Sequence, residues 1–105
     1  MDRHISRIIG GLRYDTTTAT EVCVHESGEF QGDFDFEVTG LYRTPRGRFF
    51  LAGHSGARSR WSRPVQGSCT GGEGLMPIGH RAARDFAEQN ADDATVAEYF
   101  AVEEA

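Results

Sequence analysis

Several groups of residues in this chain could do chemistry, and most of them fail on spacing. Cys23 and His25 stand two apart, the separation at which a strand presents both side chains on one face. With Cys69 and either His54 or His80 they would make up four zinc ligands. Zinc sites take their ligands in close pairs on rigid turns, and the second half of the chain has no such pair. Gly53-His54-Ser55-Gly56 approaches the G-x-S-x-G nucleophile elbow, but Ala57 occupies the last position. The glycine-rich stretch 67–74 lacks both GxxxxGK[ST] and GxGxxG, and the chain has no lysine. No carboxylate pair suited to acid–base work can be picked out. The expectation is a protein that is not an enzyme and needs neither cofactor nor metal.

Two charged groups are left. Asp33, Asp35 and Glu37 alternate with Phe34, Phe36 and Val38, which is strand periodicity with one packed face and one wet, acidic face. Successive carboxylates on such a face lie about 6.6–6.8 Å apart, the scale of backbone phosphates. Glu26 and Glu29 are close by in sequence, and Asp92 and Asp93 form a second acidic pair. These seven residues are the expected contact set for a partner's basic, nucleic-acid-binding surface. The other group is the arginine block 43–63. Arg43, Arg46, Arg48, Arg58, Arg60 and Arg63 stand there among Tyr42, Phe49, Phe50 and Trp61. Arginine beside exposed aromatics is the composition of single-strand binders. The alternative reading is therefore a nucleic-acid-binding accessory protein that uses those arginines with Trp61.

The elements that would position these residues can be read from pattern and punctuation. ISRIIGGLRY (5–14) reads as two short strands around Gly10-Gly11, a pair that accepts the positive φ of a tight hairpin turn. Asp15-Thr16-Thr17-Thr18 follows as a turn closed by its own side chains. A strand is expected over 20–25 and another over 34–39, with a bend at Gly40. In LYRTPRGRFFL (41–51), Pro45 and Gly47 specify a type I turn with a glycine bulge. That turn sets Arg43 opposite Phe49, Tyr42 opposite Phe50 and Leu41 opposite Leu51. Both faces of the hairpin are then partly apolar, so it is expected at the centre of the sheet, covered on each side. Residues 53–56 should end the strand. Residues 57–64 read as irregular or a short edge strand, and 66–74 as a loop. A helix is expected over 77–90 and a second over 94–100, capped by Asp92 or Asp93. The whole is a single α+β domain: 1–66 mainly β, 67–76 a glycine-rich loop, 77–101 helical. Four or five antiparallel strands would carry one or two C-terminal helices.

Composition supports a globular domain. The chain has 105 residues, 38% of them hydrophobic, with 7 Phe, 3 Tyr and 1 Trp. Net charge is -5, distributed in blocks. Residues 15–40 and 85–105 are strongly acidic, and 43–63 holds six arginines and no carboxylate. The N-terminus has no apolar h-region, and no run is long enough to span a membrane. A cytoplasmic protein with two free thiols is the expectation.

The runs IIGGLRYDTTTATEV and LYRTPRGRFFLAGHSGARSRW, followed by an Ala-Arg-Asp-Phe-Ala-Glu helix, resemble a family of roughly 100-residue proteins of bacteria, phages and mobile genetic elements. Small acidic proteins of such origin include anti-CRISPR proteins. The resemblance implies a non-enzymatic inhibitor that binds a CRISPR–Cas effector, such as a type I surveillance complex, and blocks target DNA. It transfers no site residue.

Overall fold

The computed structural model describes residues 3–28, 36–57, 59–65 and 68–105. Three layers are stacked. In the middle lies a four-stranded antiparallel sheet of order β3-β4-β5-β8, built from β3 (Thr20–Ser27), β4 (Glu37–Arg43), β5 (Phe49–Ser55) and β8 (Gly72–Ile78). A two-stranded hairpin, β1 (Ser6–Ile9) and β2 (Leu12–Asp15), covers one face. Two helices, α1 (His80–Asn90) and α2 (Asp93–Tyr99), cover the other. A small hairpin of β6 (Arg63–Val65) and β7 (Ser68–Thr70) precedes β8. The α+β class read from the sequence is the class observed. Among the described residues no helix is long and apolar enough to cross a membrane.

The β4–β5 hairpin anchors this arrangement, in the register that its turn residues dictate. Arg43 pairs with Phe49, Tyr42 with Phe50 and Leu41 with Leu51. Gly47 has φ +87°, a left-handed value that an L side chain adopts only with strain. Its amide donates to the Thr44 carbonyl at 2.9 Å, and the Thr44 amide donates to the Arg48 carbonyl at 2.7 Å. At the other end of the chain's first hairpin, Gly10 and Gly11 both have positive φ, as a type I′ turn requires.

Strand alternation divides the core in two. Leu41, Phe49 and Leu51 face the helices, where they meet Val22, Ala83, Ala87, Val96 and Phe100. Phe49 and Phe100 stack at 5.2 Å, with His80 edge-on to both. Tyr42, Phe50 and Ala52 face the β1–β2 hairpin and pack on Ile5 and Tyr14. Here Tyr42 stacks on Phe50 at 5.2 Å and Tyr14 meets the same ring edge-on at 5.6 Å. The Tyr14-Asp15-Thr16-Thr17 run holds the covering hairpin in place. Tyr14 fills the core, and Thr16 receives the Ile5 amide on its hydroxyl while its own amide donates to the Ile5 carbonyl. Asp15 accepts from both the amide and the hydroxyl of Thr17, closing the turn.

The structure departs from the sequence reading in the glycine-containing segments. Gly40 is not a bend but the middle of β4, where the Tyr42 ring lies against it in place of a side chain. Residues 53–55 continue β5 rather than end it. The stretch 72–78 is neither loop nor helix start. It is β8, paired along its length with β5, and α1 begins only at His80. The reason is Trp61. Gly53 and Gly74 are cross-strand partners. A Cβ on Gly74 would stand 2.5 Å from the indole Cε3, and one on Gly53 would stand 2.8 Å from Nε1. The indole lies over both glycines, and at Gly53 the Val38 carbonyl stands nearer still. Pro77 is tolerated because β8 is an edge strand.

Candidate functional site

The acidic face expected on β4 does not form as read. Glu37 and Thr39 share the face of Leu41, which is the helix-covered side, and both are buried. Instead of facing water, Glu37 is the end of a polar chain set into the core. Trp61 Nε1 donates to the Thr39 hydroxyl at 2.9 Å, and that hydroxyl donates to Glu37 Oε2 at 2.7 Å. Arg60 Nε lies 3.3 Å from the same oxygen, and its guanidinium stands 5.7 Å from the centre of the Phe86 ring. The Trp61 amide donates to Ser55 Oγ at 2.8 Å, pinning segment 59–62 to the end of β5. A buried carboxylate is costly unless its charge is matched and hydrogen-bonded, and this network brings both an arginine and a hydroxyl to Oε2.

The other expected acidic residues are separated. Glu26 is exposed on β3 and pairs with Val38, so it projects from the hairpin-covered face. Asp92 and Asp93 lie across the sheet in the helical layer. Asp92 is the N-cap of α2, its carboxylate accepting from the Thr95 amide at 2.8 Å. That bond holds its pKa below the ordinary carboxylate value. Asp93 is exposed in the first helical turn. Glu29, Asp33 and Asp35 lie outside the described residues.

The arginine set is likewise divided. Arg43, Arg46 and Arg48 are exposed around the β4–β5 turn. Arg60 is committed to Glu37. Trp61 is a packed residue covering Gly53 and Gly74, and its indole N–H is already donated. The sheet thus takes up one face of the indole and Thr39 its N–H. Arg58 and the side chain of Arg63 lie outside the described residues.

Pattern reading named Asp92 and Asp93 but not the five carboxylates that accompany them. The helical layer and the tail after it carry Asp85, Glu88, Asp92, Asp93, Glu98, Glu103 and Glu104, all exposed. Among the described residues none of these carboxylates lies within ion-pair distance of a basic side chain. Across the sheet, the covering hairpin carries Arg7 and Arg13, both exposed. The block charge of segment 85–105 was the available signal. Its meaning depended on knowing that the helices form a single outer layer.

Cys23 and His25 lie on the helix-covered face of the sheet and His54 on the other, and the side chain of Cys69 lies outside the described residues. Cys23 is a free, half-buried thiol whose pKa is pushed up to about 11 by burial, with Glu21 adding to the effect. His25 Nδ1 is 3.0 Å from the Asn90 side-chain oxygen, tying β3 to the end of α1. His54 stands opposite Glu73 on the hairpin side, and burial lowers its pKa. Among the described residues no three His, Cys, Asp or Glu side chains gather as a metal site. Open depressions occur among the described residues. One, of 260 Å³, lies between the β4–β5 turn and the start of α1, where Arg48, His80 and Tyr14 line it. Another, of 500 Å³, lies in the helical layer.

No family model, no characterised protein and no solved structure matches the chain.

Proposed function

We propose that this protein is a small binding module whose acidic helical layer docks on a basic, nucleic-acid-binding surface of a partner protein and excludes nucleic acid from it. The observation that carries this reading is the set of seven exposed carboxylates on the helical layer and the tail after it, none of them in an ion pair among the described residues. The strand-borne site is thereby revised: Glu37 is withdrawn from it, and Asp85, Glu88 and Glu98 join Asp92 and Asp93. Complementary charge of this kind gives fast, salt-sensitive association. A CRISPR–Cas effector is the partner that the sequence resemblance suggests, with the protein acting as an inhibitor of target DNA binding.

Gel shifts with purified effector complexes test the proposal. The protein alone should leave a DNA duplex unshifted, yet prevent the effector from retarding it. A triple variant, Asp85→Arg, Asp93→Arg and Glu98→Arg, should fold normally and lose that inhibition. Undiminished inhibition by the folded variant would overturn the site. Retardation of DNA by the wild type alone would instead favour the arginines of the β4–β5 turn.

A further inference from the structure

One end of the central sheet opens beside the β4–β5 turn. Phe49, the first residue of β5, pairs with Ile78, the last of β8. Beyond that pair the strands part, Arg48 leading into the turn and Gly79 into α1, and the depression of 260 Å³ lies there. Phe49, Pro77 and Ile78 give it an apolar wall. Its polar side chains are Arg48, His80 and Tyr14, and no carboxylate lines it. Pockets for whole drug-sized ligands measure about 300–1,000 Å³, so this one suits a small ligand or one end of a larger one.

Four features of the opening favour an anion. Tyr14 is only 6% exposed, its ring edge-on to Phe50, yet its hydroxyl has no hydrogen-bond partner among the described residues. A nearly buried hydroxyl left unpaired is costly, and the part of Tyr14 that stays open lies in the wall of the depression. Arg48 is exposed and in no ion pair among the described residues. The His80 ring is held edge-on to Phe49 and Phe100, and an imidazole keeps an N–H donor in either charge state. Beside them α1 starts without a side-chain cap, with His80 and Arg81 and no carboxylate in its first turn. The positive end of a helix favours negative charge, so basic residues there are the reverse of what the helix alone would select.

We propose that this depression binds a phosphate monoester, with Arg48, His80, the Tyr14 hydroxyl and the leading amides of α1 donating to the phosphate oxygens. Every one of these groups can donate, which suits a ligand group that only accepts. The wall of Phe49, Pro77 and Ile78 takes the organic part of the ester. Arg43 and Arg46, exposed on the same turn, raise the positive potential around the opening. Asp15, next to Tyr14 in sequence, has its carboxylate engaged by Thr17. The proposal goes beyond the docking reading and does not rest on it, since it concerns the isolated chain and a depression that none of the seven carboxylates lines.

Nuclear magnetic resonance titrations of the isotope-labelled chain with inorganic phosphate, adenosine monophosphate and adenosine, at constant ionic strength, test it. Both phosphates should shift the Gly79, His80 and Arg81 amide resonances saturably, with dissociation constants of about 1 mM or below, and adenosine should not. Tighter binding of the nucleotide supports the site with the ester's organic part on the apolar wall. Equal binding supports it with the phosphate group alone as the ligand. Tyr14→Phe keeps the ring, and should weaken binding about tenfold without lowering the urea midpoint. Arg48→Gln should weaken binding at least as much. Arg46→Gln, on the same turn but outside the depression, should change it by less than about twofold. The absence of any saturable shift overturns the proposal. So do equal losses in the two arginine variants, since general attraction to the turn would then suffice. A hydroxyl-ended oligothymidylate that shifts the same resonances at lower concentration than either phosphate would assign the turn to a nucleic-acid backbone and overturn it as well. None of these outcomes bears on the acidic layer, which the effector gel shift tests separately.

Discussion

The two faces of the central sheet solve the same problem differently. On the hairpin-covered face, Ile5, Tyr14, Tyr42, Phe50 and Ala52 bury aromatic and aliphatic surface in a small cluster. On the helix-covered face a larger apolar cluster adjoins a chain of polar groups running from Trp61 through Thr39 to Glu37 and Arg60. The first face depends on ring packing. The second depends on a long loop segment being locked at one distance from the sheet, because Trp61 sits directly on two glycines. A small cluster can be rebuilt by many side chains of similar volume. A polar network over bare backbone admits few substitutes.

Substitutions can separate these two modes. The largest effect is expected at Phe50, the ring that both Tyr14 and Tyr42 contact. Phe50→Ala should cost about 3–5 kcal/mol and strip the β1–β2 hairpin of its anchor, measured as a fall in the urea midpoint. Conversion to Leu should recover much of the loss, as expected where volume rather than geometry matters.

Next comes Gly74→Ala. Its new methyl would meet the Trp61 ring, so the indole must move, at a cost of about 1–3 kcal/mol. The Trp61 indole N–H resonance should shift as its bond to Thr39 is broken. An unshifted resonance with unchanged stability would remove the distinction between the two faces. Glu37→Ala should cost a similar or smaller amount, about 1–3 kcal/mol, because it leaves Thr39 and Arg60 without their acceptor. If Glu37 were instead a solvated docking residue, its removal would leave the unfolding midpoint unmoved.

The smallest effect belongs to the turn that ties down the hairpin. Thr17 donates its hydroxyl and its amide to Asp15, lowering the carboxyl pKa from 3.8 to about 2. The folded state therefore holds this proton less tightly than the unfolded chain. The resulting stabilisation is complete above the unfolded value and is lost as pH falls through the folded one. Wild type should melt above Asp15→Asn at pH 6, and the gap should narrow as pH falls from about 4 toward 2.

These contrasts mirror what was legible in the sequence. The β4–β5 hairpin was readable to the residue because Pro45 and Gly47 specify its turn and alternation fixes which side chains share a face. The Gly10-Gly11 turn was readable for the same reason. What pattern reading missed was non-local. Gly74 looks like a loop residue until Trp61, over ten positions away, is known to lie on it. Glu37 looks like a wet-face residue because alternation gives the period of a strand but not which side is covered. Thr39 and Leu41 share its face, and the apolar member of that row told the truth. The acidic set was legible as block charge, and its grouping into one layer followed only from the packing of α1 and α2.

Trp61 has a practical consequence. It is the sole tryptophan of the chain, and it rests half-buried on the sheet with its indole N–H bound to Thr39. The molecule thus carries an intrinsic fluorophore at its most geometrically demanding seam. Emission from that one ring should redden and broaden when segment 59–62 lifts away, reporting opening of the seam without any attached dye.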